Sequence, residues 1–210
     1  MGYQEIANDL HSIENCKTKD VDKYNKRLLK EHADVSDLKD YVLKDQSVHR
    51  TYFQVSMGQC KTYAEQFAFI EENCDLLQDW WHVDQLVQFI KKPVDFDFAF
   101  AKAKEYVVSE KPFLRRWGYV LFLTGLQKDA SHTKDILSLM KDDDAYYVQM
   151  AEAWLLCDLA VFNVKEVLKF TEKSKMDYNI MGKAIQKICD SYRFTTEEKE
   201  QFRALRKKWK

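Results

Sequence analysis

The chain is poor in the residues that make tight turns, with two prolines, Pro93 and Pro112, and five glycines in 210 residues. An all-β fold needs many hairpins, and hairpins draw on Gly, Pro, Asn and Asp chemistry, so this scarcity argues against one and favours long helices. No run of eighteen apolar residues occurs, and the stretch from Met1 to His11 carries acids early and lacks an apolar signal core. A membrane-spanning helix and a secretory leader are therefore not expected, and the expected location is cytoplasmic. The five cysteines, at 16, 60, 74, 157 and 189, are odd in number, form no CxxC pair and have no histidine at metal-ligand spacing. Neither a disulfide framework nor a structural metal site is expected, and reduced, mostly buried thiols fit better. Nothing in the sequence asks for a cofactor.

A dominant charge of either sign is also missing, since 33 bases and 34 acids leave a net charge of −1. The balance is uneven along the chain. Residues 1–90 hold 16 acids and 10 bases, a net of −6, and residues 91–210 hold 18 acids and 23 bases, a net of +5. A polyanion could be held by the C-terminal portion, although solvated helix faces would give the same count.

What is abundant is apolar surface: 46% hydrophobic and 14% aromatic residues suffice for a sizeable core in one domain spanning 1–210. From about Ser36 the sequence reads as helix pairs. First helices are expected near 36–44, 63–73, 95–108, 131–141 and 164–173, and second helices near 47–60, 79–90, 112–126, 144–162 and 177–192. Residues 1–35, with Tyr3, Ile6, Leu10 and Ile13 at helical spacing, are expected to cap the array, and 195–210 to form a last helix with a basic tail. Pro112 suits a first helical turn, Asp142-Asp143-Asp144 an acidic helix start, and Thr195 with Glu198 a capping box. Trp81, Trp117 and Trp154 lie 36 and 37 positions apart, each in a second helix. That period is the signature of a two-helix repeat. The Trp-x-x-Leu-Gly pattern of tetratricopeptide repeats is missing, so the expected fold is an all-α, HEAT-like solenoid whose second helices line a concave groove.

Several residues on those second helices share faces at four-residue spacing: Trp80 with Asp84, Met150 with Trp154, and Lys183 with Lys187. With Arg115 and Arg116 on the helix between, such a wall is aromatic, singly acidic and otherwise basic. Cations hold phosphate, indoles contact a sugar or a cationic base, and a fixed carboxylate stabilises an oxocarbenium-like sugar. Each element has a plainer explanation. Trp81 and Trp117 suit core packing, Asp84 an ion pair, and Lys183 and Lys187 a solvated face. His82 invites a general-base role but lies off the face of Asp84 and is not taken as one.

The stretches Asp79-Trp80-Trp81-His82-Val83-Asp84, Phe113-Leu114-Arg115-Arg116-Trp117-Gly118-Tyr119-Val120, Tyr146 through Trp154, and Lys183-Ala184-Ile185-Gln186-Lys187-Ile188 resemble, in order and interval, the DNA alkylation repair (AlkD-like) family. The resemblance covers about residues 36–206. It implies a HEAT-like DNA glycosylase that removes N3- or N7-alkylated purines from double-stranded DNA without extruding the base. In that picture Trp80 and Trp154 flank the deoxyribose, Asp84 stabilises the sugar cation, and Arg116 holds backbone phosphate. Two departures stand out: residues 1–35 lack the Gly-x-Arg-x-Pro type of segment, and Cys157 stands where active relatives present a basic side chain. Retained glycosylase activity and a non-catalytic HEAT-like module that binds nucleic acid structure or a protein partner are both compatible with the sequence.

Overall fold

The computed structural model describes residues 2–207, which form thirteen α-helices and five short 3-10 segments, with no strand among the described residues. Among the described residues no helix is long and apolar enough to cross a membrane. Lys208 and Lys210 of the expected basic tail lie outside the described residues. The chain divides into two compact units, Met1–Pro93 and Val94–Lys210.

The first unit is organised around α3 (Gln46–Gln59), which packs against α1 (Tyr3–His11), α2 (Thr18–Lys30) and α6 (Leu86–Phe89). Asp45 starts α3 by accepting from the N–H groups of Ser47 and Val48 at 2.8 and 3.2 Å, so two otherwise orphaned donors are satisfied. Val48, Tyr52, Phe53, Val55 and Met57 are buried, and so are His49, Arg50 and Thr51. A helix buried nearly all round is a core helix, not an amphipathic surface one. α4 (Tyr63–Glu72) follows, capped by Thr62. Its buried Gln66 donates to the carbonyls of Met57 and Phe89, and its side-chain oxygen accepts from the Lys91 N–H, which ties the unit together.

Two expected helices of this unit come out shorter. The segment 36–44 is a 3-10 helix, Ser36–Tyr41. The segment 79–90 is two pieces, α5 (Trp80–Asp84) and α6, divided at Gln85. There the Gln88 N–H bonds back to the Gln85 carbonyl, three residues behind it, so the turn tightens.

In the second unit α10 (Tyr146–Phe162) packs on both α8 (Pro112–Val120) and α12 (Tyr178–Asp190), so the three second helices of this half form one row. α11 (Val164–Lys173) packs on α9 (Thr133–Ser138), α10 and α13 (Thr196–Arg206), and α7 (Phe96–Tyr106) packs on α8. Pro112 opens α8 in its first turn, and Thr195 with Glu198 completes the capping box of α13. Gly118 lets α8 approach α7 closely, because a Cβ there would lie 2.8 Å from Val107 Cγ1 and 3.2 Å from the Val107 nitrogen. The expected helix 112–126 stops at Val120, passes into a 3-10 turn, Leu121–Thr124, and ends at Gly125 with φ +127°, a conformation side chains resist. The three acids at 142–144 precede α10 instead of filling its first turn, since Asp143 is drawn to Arg115 and accepts from the Ala145 N–H at 2.8 Å. Of the five free thiols, Cys74 and Cys157 are buried and the other three half-buried.

Candidate nucleic-acid interface

Trp80 is the first residue of α5 and Asp84 the last. One helical turn separates them, so both project from one face. Val83 and His82 turn inward and are buried, leaving Trp80 46% exposed and Asp84 half-buried. Asp79 fixes where the helix begins by accepting from the Trp80 N–H at 2.7 Å. Trp81, expected in the core, is half-buried and packs edge-on against His49 and His82. Trp117, given the same expectation, is fully buried.

In the second unit the sequence-selected residues fall on the row α8, α10 and α12. Trp154 is half-buried on α10, one turn beyond the half-buried Met150. Lys183 and Lys187 are both exposed on α12. The two arginines of α8 are differently placed. Arg115 forks onto Asp143 at 2.6 and 2.9 Å and also donates to the Ser109 and Glu110 carbonyls, a bidentate geometry that holds the connector before α10. That pairing keeps the Asp143 carboxyl below the usual carboxylate range against the opposing effect of burial. Arg116 is only 4% exposed and donates to the Tyr147 carbonyl.

Other residues emerge only in three dimensions. Arg193, in the turn after α12, binds Asp158 at 2.7 Å and stands beside Cys157, whose thiol burial pushes up. A guanidinium thus lies where the resemblance asks position 157 for a basic side chain, 36 residues away in sequence and with no motif to announce it. Glu152, two residues before Trp154, is fully buried, and burial raises its carboxyl to about 8. It accepts from the Lys141 N–H at 3.2 Å and neighbours the buried Tyr119 phenol. Phe113, Tyr146 and Tyr147 gather where α8 and α10 begin, in a tilted and an edge-on contact.

An exposed indole one turn from a carboxylate in one unit, and in the other a half-buried indole on α10 with exposed lysines on the neighbouring α12, are the kinds of group that meet a sugar and its phosphates. No curated protein and no solved structure is significantly similar to this chain. The family model described as DNA alkylation repair enzyme, however, matches residues 11–188, most of both units, which include Trp80, Asp84, Arg115, Arg116, Trp154, Lys183 and Lys187 but not Arg193. By that match the chain belongs to the DNA alkylation repair enzyme family.

Proposed function

We propose that this protein binds double-stranded DNA along a concave groove lined by its second helices and hydrolyses the N-glycosidic bond of purines alkylated at N3 or N7. The observation that carries the proposal is the pairing of exposed Trp80 with Asp84 at the two ends of α5, within a chain of the DNA alkylation repair family. An N3- or N7-alkylated purine already bears positive charge. When the C1′–N bond breaks, the electron pair leaves with the base and neutralises it, and the cation passes to the sugar. A fixed carboxylate beside that sugar lowers the barrier, and no acid is needed to protonate the leaving group. Water then attacks C1′, and Asp84 accepts its proton. The exposed indole of Trp80 supplies a face for the deoxyribose, so the base need not enter a closed pocket as in base flipping. Lys183 and Lys187 hold phosphate as exposed cations, and Arg116 orients the start of α10. Phosphate reaches Arg115 only in competition with Asp143.

The internal commitments of Arg115 and Arg116 favour a second reading, a non-catalytic module that grips nucleic acid structure or a protein partner. Base release separates the two. DNA carrying 7-methylguanine, 3-methyladenine and a bulkier N7 adduct is incubated with wild type and Asp84→Asn. Release by wild type that falls by at least about a hundredfold in the variant, the loss typical of a missing charge-stabilising group, supports the glycosylase. Equal release by both proteins, or none from any substrate, rejects it.

A further inference from the structure

Beneath α5 lies a buried polar cluster that the proposed chemistry leaves unused. His49 of α3 and His82 of α5 are both buried, and their rings stack with centroids 3.7 Å apart and planes 15° from parallel. Trp81 closes the cluster edge-on, 4.1 Å from His82 and 5.0 Å from His49. The surrounding hydrogen bonds dictate where the ring protons sit. The Gln78 N–H donates to His82 Nδ1 at 3.0 Å, so that nitrogen carries no proton and the ring is neutral. His49 Nε2 lies 3.2 Å from the Leu76 carbonyl, which can only accept, so Nε2 is protonated. Its Nδ1 is then the acceptor for Gln85 Nε2 at 2.9 Å. The Gln85 amide cannot turn over to meet a proton there. Its oxygen already accepts from Arg50 at 3.2 Å, and Arg50 is locked by two bonds to Asp22 and one to Gln88. A guanidinium has no acceptor to offer a reversed amide.

We propose that His49 and His82 are positioning residues: stacked and neutral, they clamp both ends of α5 and with it Trp80 and Asp84, and a proton on the pair releases the helix. The entry is held through Gln78, two residues before Trp80, and the exit through Gln85, next to Asp84. Because Nε2 of His49 already holds a proton, a second can enter that ring only at Nδ1, where it faces the Gln85 N–H. At His82 it faces the Gln78 N–H. Two cationic rings at stacking distance would also repel across a water-poor contact, so the pair titrates as a unit.

Burial holds both rings below the ordinary histidine range, His49 at about 3, and the neighbouring ring adds to the effect on His49. Against this act the Leu76 carbonyl, a backbone partner of both rings, and Asp79 at the start of α5. Arg50 and Asp22, the charged groups presented from α3 and α2, neutralise each other. The docked helix therefore binds fewer protons than the released one. Docking is fully available above the free histidine pKa and weakens as pH falls below it, roughly tenfold in the docked-to-released ratio per pH unit for each proton gained.

The consequence for Trp80 and Asp84 rests on the glycosylase proposal, whereas the clamp does not, and the experiments separate them. Long-range proton–nitrogen spectra of the histidine-labelled full chain near pH 7.5 should show both rings protonated at Nε2. An Nδ1–H tautomer at either ring overturns the proposal even if no variant folds. Hydrogen exchange across residues 78–90, corrected for intrinsic rates, should lose protection between about pH 7 and pH 5, where free histidine charges, while segments of 94–207 keep theirs. His49→Gln with His82→Asn should remove that pH dependence. Constant protection of 78–90 in wild type, or equal loss in the double variant, refutes the clamp. Loss of protection as described without base release at any pH leaves the clamp standing and rejects the glycosylase. Base release with the same acid profile in wild type and the double variant rejects the link to Asp84.

Discussion

Trp80 and Trp117 carry the same indole and meet opposite environments, one 46% exposed at the end of a short helix and the other without exposed surface in α8. Their roles follow from that difference, since an indole can meet a sugar only from the surface. Glu152 is the counterpart among the acids. It stands two residues from Trp154, yet it is buried where the carboxyl holds its proton up to about 8, far above its ordinary value of 4.5. Between those two values the unfolded chain has released this proton and the folded chain has not. The stability Glu152 contributes is therefore complete below about pH 4.5 and is lost as pH rises towards 8. Glu152→Gln keeps an acceptor for the Lys141 N–H and removes the titration. Urea midpoints measured across that range should show the variant gaining on wild type as pH rises, and a constant difference would contradict the burial assigned to this carboxyl.

At the scale of helices, the sequence displayed its periodic parts and concealed its contacts. The bounds of α11 and the capping box of α13 were legible because each rests on local chemistry, an Asn163 cap in one case and Thr195 with Glu198 in the other. The tightening at Gln85 was not legible, since periodicity across 79–90 continues unbroken while Gln85 is committed to His49 and Arg50 from another helix. Arg115 shows the same limit at the candidate site: a basic pair on a second helix suggests phosphate, and only the fold reveals Asp143 within 2.6 Å. Gly118, by contrast, matters for what it leaves out. Gly118→Ala would drive a methyl into Val107 and the backbone of α7, at an expected cost of about 1–3 kcal/mol, the range for overpacked cores. A denaturation midpoint equal to that of wild type would mean that α7 and α8 separate without penalty.

For the molecule as a whole, the charge polarity seen along the sequence follows the units. Met1–Pro93 contains 16 acids and 12 bases, and Val94–Lys210 contains 18 acids and 21 bases. If DNA is held chiefly by the second unit, affinity should fall linearly with salt on logarithmic axes. Lys183→Ala and Lys187→Ala should each reduce that slope by about one, the signature of a lost phosphate contact. Binding indifferent to salt would instead favour an apolar protein partner. The central claim is that the Asp84 carboxylate stabilises the sugar cation left as the base departs. The most direct test is the single-turnover rate of 7-methylguanine release by wild type and Asp84→Asn. The variant is predicted to slow release by at least about a hundredfold, the loss typical of a missing charge-stabilising group. No release by wild type, or a wild-type rate from the variant, would contradict the account.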